Sequence, residues 1–234
     1  MDITPESSIF AVLAIGFVIG LYHAVEADHL AAVSAIVSEK KNVFVSTLVG
    51  GLWGVGHTIS LFVVGLLAIF LKLQISETVE AKLEAVVGGM LVLLGLNALR
   101  KLFTADKVHV HEHVHSGSKH AHLHIHEEAK EERSHHGLSA KSVLVGMVHG
   151  LAGSAGLMLI VVPSIDSPYL AMGYILIFGI GSVAGMMLMS LLMSVPMAFT
   201  ANRFEVLNKG IRVAAGVFSL IWGAMLINEK LIQP

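Results

Sequence analysis

Two imidazoles and two carboxylates share one seven-residue stretch, His23-Ala-Val-Glu26-Ala-Asp28-His29, inside an apolar run from Ile9 to Val37. Two further histidines, His57 and His149, stand in equally apolar surroundings. The chain has no cysteine, which excludes disulfides, thiol redox chemistry and thiolate metal sites. Imidazole with carboxylate and no thiolate suits nickel, cobalt or zinc among divalent ions. An Asp at mid-span costs about 2.5–3.5 kcal/mol even on the lenient insertion scale, so ionisable groups at bilayer depth face a bundle interior or a pathway. His23, Glu26, Asp28, His29, His57 and His149 are therefore the candidate metal-ligating residues. A single intramembrane His is as readily a hydrogen-bonding link between helices; several together favour a site.

Helix geometry sets a condition on that stretch. At about 100° per residue, His23, Glu26 and His29 fall near ~0°, ~300° and ~240°, whereas Asp28 falls near ~140°. Asp28 cannot join the histidines on an unbroken helix. If both groups address one ion, the span must unwind near Ala24–Ala27. His23 lies roughly 21 Å past Ile9 along a helix, and His57 is equally far past Val43, coming from the other side. With His149 eight residues past Lys141, three spans bring imidazoles to similar depth, near Thr58, Ser60, Ser154 and Ser182 as weaker polar partners.

The elements that position these residues are membrane helices. The 234-residue chain is 55% hydrophobic and 14% charged, with a mean hydropathy of +0.77, outside the soluble globular norm. Asp2 and Glu6, with no basic residue beside them, make the first apolar segment a poor signal peptide, so it is expected to be retained. Six segments can span: Ile9–Val37, Val43–Leu71, Ala85–Leu99, Val143–Val162, Tyr169–Phe199 and Ile211–Ile227. The first, second and fifth exceed the required length, which predicts tilt, a break or a re-entrant end. Pro196 is placed to terminate or kink the fifth. Twelve of the fifteen Lys and Arg residues fall on one side and only Lys72, Lys82 and Lys230 on the other. This predicts a multi-pass protein of the cytoplasmic membrane with both termini outside.

The halves resemble each other. Gly20-Leu-Tyr-His23 matches Gly146-Met-Val-His149, Gly54-Val-Gly56-His57 matches Gly179-Ile-Gly181-Ser182, and Gly88 with Gly95 matches Gly216 with Gly223. Three spans per unit make the second unit inverted, an arrangement that places a site near the midplane at the repeat interface. The expected fold is thus an all-α integral membrane protein of six transmembrane helices in two inverted three-helix repeats, 1–103 and 140–234, with some helices open to a break. Between them, residues 104–139 form a polar cytoplasmic loop, expected to be disordered, that holds ten of the fourteen histidines. Its alternating runs His109, His111, His113, His115 and His120, His122, His124, His126 would each line up on one side if extended, as auxiliary metal binders.

The pattern H-x4-D-H at His23-Ala-Val-Glu-Ala-Asp28-His29, followed one helix later by Gly56-His57-Thr58, resembles the nickel/cobalt permease (NiCoT) family. His149-Gly-Leu-Ala-Gly-Ser-Ala is similar to its smaller six-span relatives, the urease accessory protein UreH type. The resemblance implies translocation of nickel or cobalt, with His23, Asp28, His29 and His57 as motif residues. Glu26 stands where the larger permeases usually have Asp, and their later acidic motifs have no counterpart here.

The expected function is therefore that of a secondary transporter moving Ni2+ or Co2+ as cargo, with uptake favoured over efflux by proton exchange. No P-loop is present, and no prosthetic group, enzymatic activity or nucleic-acid partner is expected. The partners are the divalent ion, membrane lipid and an intracellular metal-accepting protein. Three other readings compete. Met186, Met189, Met193 and Met197 form a thioether stripe that would suit copper(I). Three His with a carboxylate permit an intramembrane zinc hydrolase. The loop alone would suit a non-transporting metal sensor or accessory subunit.

Overall fold

The computed structural model of the chain describes residues 5–38, 40, 42–71, 76–104, 110–115, 118–123, 135–151, 165, 167–201 and 203–232. The first apolar run is two helices, α1 (Pro5–His23) and α2 (Ala27–Val37), bent by 55° at the join. The bend falls at Ala24–Glu26, where the sequence geometry requires it. A tight turn closes it, with the amide of Val25 donating to the Tyr22 carbonyl at 2.9 Å and that of Glu26 to the His23 carbonyl at 3.2 Å. No Pro or Gly lies in the break, so packing around it must hold it. Ala24 is buried there against the backbone of Gly185, where a Cβ would stand 2.7 Å from the Ala24 methyl.

Then follow α3 (Val43–Leu71), α4 (Glu77–Thr104), a hairpin of β1 (Val110–His115) and β2 (Ser118–Leu123), α5 (His135–Gly150), α6 (Pro168–Ala201) and α7 (Glu205–Ile227), which runs on into one π-helical turn at Asn228–Ile232. The helical class holds for the apolar segments. Within the segment 104–139, the antiparallel register of the hairpin sets His111 opposite His122 and His113 opposite His120. Pro196 does not end its helix: α6 passes through it to Ala201, and Thr200 donates its hydroxyl to the Pro196 carbonyl at 2.8 Å.

Among the described residues α3, α6 and α7 are each long and apolar enough to cross a membrane, and the bent pair α1–α2 makes a fourth span. The segment expected from Val143 to Val162 is described only as far as Leu151. α4 is 28 residues long but carries Glu77, Glu80, Lys82 and Glu84 in its opening turns. Large apolar side chains such as Phe10, Phe44, Leu93, Phe199 and Val206 are exposed, as a lipid-facing surface requires.

Lipid is as apolar as leucine, so helices in a membrane associate through close packing of small residues rather than by burial from water. The chain follows this rule. A Cβ on Gly20 of α1 would meet the Phe178 carbonyl of α6, and one on Gly181 of α6 would meet the Phe17 carbonyl of α1. One on Gly146 of α5 would meet the Trp53 carbonyl of α3, and one on Gly56 of α3 the Val143 carbonyl of α5. α4 and α7 approach through Gly88 against Gly223 and Gly95 against Gly216, with the Ser219 hydroxyl donating to the Leu91 carbonyl at 2.8 Å. Between these contacts Val33, Val37, Trp53, Val87, Leu91 and Met186 form a core around α2.

Gly20→Ala is expected to destabilise the protein by about 1–3 kcal/mol, because the backbone it meets cannot turn aside. Gly89→Ala, with no atom within 4 Å of the new methyl, is expected to be neutral or stabilising by up to about 1 kcal/mol. Thermal unfolding of both variants in detergent checks the contrast.

Candidate metal centre

The bend turns two consecutive helix ends toward one point. α1 stops at His23, and the N-terminus of α2 presents Asp28 in its first turn, where the helix dipole favours a carboxylate. α5 stops at Gly150, one residue past His149, and α3 supplies His57 from its middle. The C-terminal ends of α1 and α5 carry partial negative charge, so the place where they meet favours a cation.

His23, His29, His57 and His149 are all 0% exposed. Ring centroids of His23 and His29 lie 4.3 Å apart, those of His29 and His149 4.2 Å, those of His23 and His57 5.2 Å, and those of His29 and His57 5.3 Å. All six residues singled out from the sequence come together here. They divide by role. Asp28 Oδ1 accepts from the His29 backbone amide at 2.8 Å and from His29 Nδ1 at 2.9 Å, while its Oδ2 accepts from His149 Nε2 at 3.1 Å. A carboxylate only accepts, so these bonds place the protons on His29 Nδ1 and His149 Nε2. The lone pair of His29 is then on Nε2 and that of His149 on Nδ1. Glu26 Oε1 stands 2.8 Å from His23 Nδ1, a close approach of charge without a hydrogen bond between them.

His29 Nε2, His149 Nδ1 and both nitrogens of His23 and of His57 are buried without a hydrogen-bond partner among protein atoms. A buried polar atom left unsatisfied costs about 1–3 kcal/mol, and a whole fold is stable by only about 5–15 kcal/mol. A helix-linking network would not place so many such atoms at one point. The trios His23–His29–His57 and Asp28–His29–His149 each bring one ligand atom per residue within 4.8 Å of the others. In the second trio the donors already bond one another. In the first they do not, so His23, His29 and His57 form the set with free lone pairs, and Asp28 is the partner that fixes tautomer and ring orientation. The donor set fits a borderline divalent transition-metal ion.

Two aromatic walls escaped the sequence reading. Trp53 stands 5.4 Å from His29 and 5.2 Å from His149, ring to ring, and Phe178 5.4 Å from His23. The available signal was helical spacing: Trp53 precedes His57 by four residues and Phe178 precedes Ser182 by four, one turn on the same face. The weaker polar partners resolve differently. Thr58 donates to the carbonyls of Gly54 and Gly179 at 2.9 and 3.2 Å, and Ser60 to the Met147 carbonyl at 2.8 Å, so both hydroxyls tie helices together. Ser182 is buried with an unpartnered hydroxyl. Of the thioether stripe, Met186 and Met197 are buried and Met193 packs on the core around α2. Ser154, His109, His124 and His126 lie outside the described residues.

The fold and this cluster define a helical membrane protein with a buried imidazole–carboxylate cluster. Over 219 residues the chain is 35% identical to the urease accessory protein UreH of Bacillus sp. (strain TB-90), an alignment covering 93% of this chain and 91% of that protein. The chain belongs to the UreH family, whose named member is an accessory protein and not an enzyme. No protein-family model and no solved structure matches it.

Asp28→Asn keeps the shape of the side chain and removes its charge. Nickel affinity, measured by calorimetric titration of the detergent-solubilised protein lacking residues 109–126, is expected to fall about 10–100-fold. His29→Ala, which takes a member from both trios, is expected to abolish binding at this centre.

Proposed function

We propose that this UreH-family chain is a secondary transporter of divalent nickel or cobalt in the cytoplasmic membrane, working in the direction of uptake. The observation that carries the reading is the set of buried, unpartnered imidazole nitrogens of His23, His29 and His57 at a helix break. Relationship to an accessory protein of urease favours nickel as the cargo. The chain carries out no bond-making chemistry on this reading.

In this proposal six spans form two inverted repeats, with both termini outside. The glycine contacts support it. Pairing Phe17 with Val143, Gly20 with Gly146, Trp53 with Phe178 and Gly56 with Gly181 converts the Gly20–Phe178 and Gly181–Phe17 contacts between α1 and α6 into the Gly146–Trp53 and Gly56–Val143 contacts between α5 and α3. The same exchange carries Gly88–Gly223 into Gly216–Gly95. A pseudo-two-fold axis in the membrane plane produces this interchange, and His23 and His149 are then equivalent residues at equivalent helix ends.

The two trios share His29, and that sharing supplies a route. A partly dehydrated ion meets the Asp28 carboxylate and passes to His29, His23 and His57, each step exchanging one ligand while others hold. Neutral imidazoles bind without trapping, which transport requires of its binding site. Across a membrane potential of about 100 mV the divalent charge contributes roughly 4.6 kcal/mol, over three decades of accumulation, so uptake needs no co-ion. The histidine-rich segment between the halves, placed on the cytoplasmic side by the charge distribution, buffers the arriving ion and passes it to an intracellular acceptor.

In liposomes with an imposed inside-negative potential, the wild-type protein is expected to admit nickel and cobalt, and His23→Ala to reduce the flux at least tenfold. Deletion of 109–126 is expected to leave flux within about twofold. Absence of flux for every metal tested would overturn the transporter reading. Copper(I) flux insensitive to His23→Ala would move it to the methionines.

A further inference from the structure

We infer that a cavity beside the cluster is the vestibule through which a hydrated divalent cation reaches it, with Glu84 receiving the ion and Lys230 as the resident counter-ion it displaces. This rests on the transporter reading and adds the entry route to it. The cavity measures about 260 Å³. Three carboxylates, Glu26, Asp28 and Glu84, border it over an apolar wall of Val87, Trp222 and Leu226, and none of its lining residues is basic. At ~30 Å³ per water it has room for an ion and a shell of about six waters, roughly 180 Å³ in all.

Glu26 and Asp28 join it to the cluster. Glu26 Oε1 is 2.8 Å from His23 Nδ1, and Asp28 bonds His29 and His149. Beyond these carboxylates stand the fully buried ring nitrogens of His23 and His29 that no protein group satisfies. Glu84 borders the cavity from near the start of α4, and Lys230 reaches it from the turn that follows α7, Nζ to Oε2 at 2.6 Å. Lys230 also lies 3.5 Å from Glu229. Since Gly88 faces Gly223 and Gly95 faces Gly216, α4 and α7 are antiparallel, and Glu84 and Lys230 share one end of the bundle. The Lys and Arg distribution makes that end the outer one.

Three carboxylates around one cleft attract cations and concentrate them there. Lys230 offsets one of the charges from a long, flexible stem, and its ammonium makes no bond that a metal ion with twice the charge would not replace. An arriving dication binds Glu84, releases Lys230 toward solvent, and passes inward to Glu26 and Asp28, where the imidazoles begin to replace its waters.

The test is nickel entry into proteoliposomes as a function of nickel concentration, joined to stopped-flow nickel binding followed by tryptophan fluorescence, since Trp222 lines the cavity and Trp53 flanks the cluster. Glu84→Gln is expected to raise KM and slow binding about tenfold, with maximal flux held and the difference shrinking at high salt. Lys230→Gln is expected to lower KM and speed binding. A pair that merely tied α4 to α7 would shift both variants the same way and would be rescued by the charge swap E84K/K230E. The vestibule instead makes the swap worse than Glu84→Gln, because it puts an ammonium on the cavity border. Same-sign shifts, rescue by the swap, or an unchanged KM in Glu84→Gln while the wild type transports would overturn the vestibule and leave the transporter standing. Absence of both nickel flux and nickel binding in the wild type would overturn the two together.

Discussion

Four imidazoles at zero exposure, six of whose ring nitrogens have no hydrogen-bond partner in the protein, set the terms for the rest of this molecule. Polar atoms in that condition oppose folding by about 1–3 kcal/mol each, so the surrounding structure must hold them against relaxation. It does so with backbone. The glycines that let α1 close on α6 and α5 close on α3 sit within a few residues of the histidines they deliver, Gly20 before His23, Gly146 before His149 and Gly56 before His57. Close packing of small residues is the main attraction available between helices in lipid, and here that attraction and the placement of the ligands are the same contacts.

The break between α1 and α2 follows from the same constraint. A continuous helix would carry Asp28 away from the side shared by His23 and His29. With the chain bent by 55°, the His23 ring closes to 4.3 Å from that of His29 while Asp28, bonded to His29 beside it, reaches across to His149. One carboxylate thereby fixes two rings from two halves of the chain and leaves their other nitrogens turned inward. Glu26 at the break stands close to His23 Nδ1 without bonding it. Asp28 thus orients two imidazoles, a role that residue type alone does not separate from direct ligation.

Much of this was legible from residue types and spacing. The apolar segment Val43–Leu71 coincides with α3, and the requirement that Asp28 and His23 converge located the break to within a residue. The six site candidates are all in the cluster, because charge and imidazole inside apolar helices have few other reasons to be there. What spacing could not give were facts of three-dimensional approach. Trp53 and Phe178 read as ordinary apolar helix residues until the helices they face are known. Glu84 and Lys230 are separated by most of the chain and looked like flanking charges at the ends of spans. Thr58 and Ser60, read as weak partners of the site, spend their hydroxyls on neighbouring carbonyls. The hairpin was hidden because alternating histidines fit a strand and a solvated loop equally well.

The central claim is that the buried imidazoles themselves hold the ion. X-ray absorption of the nickel-loaded protein lacking residues 109–126 and carrying His135→Ala and His136→Ala addresses it directly, since the remaining four histidines are those of the cluster. A nickel shell containing imidazole nitrogens, with their ring scattering lost in His29→Ala, is the expected spectrum. A shell of oxygen alone, unchanged by that substitution, would place the ion elsewhere and contradict the claim.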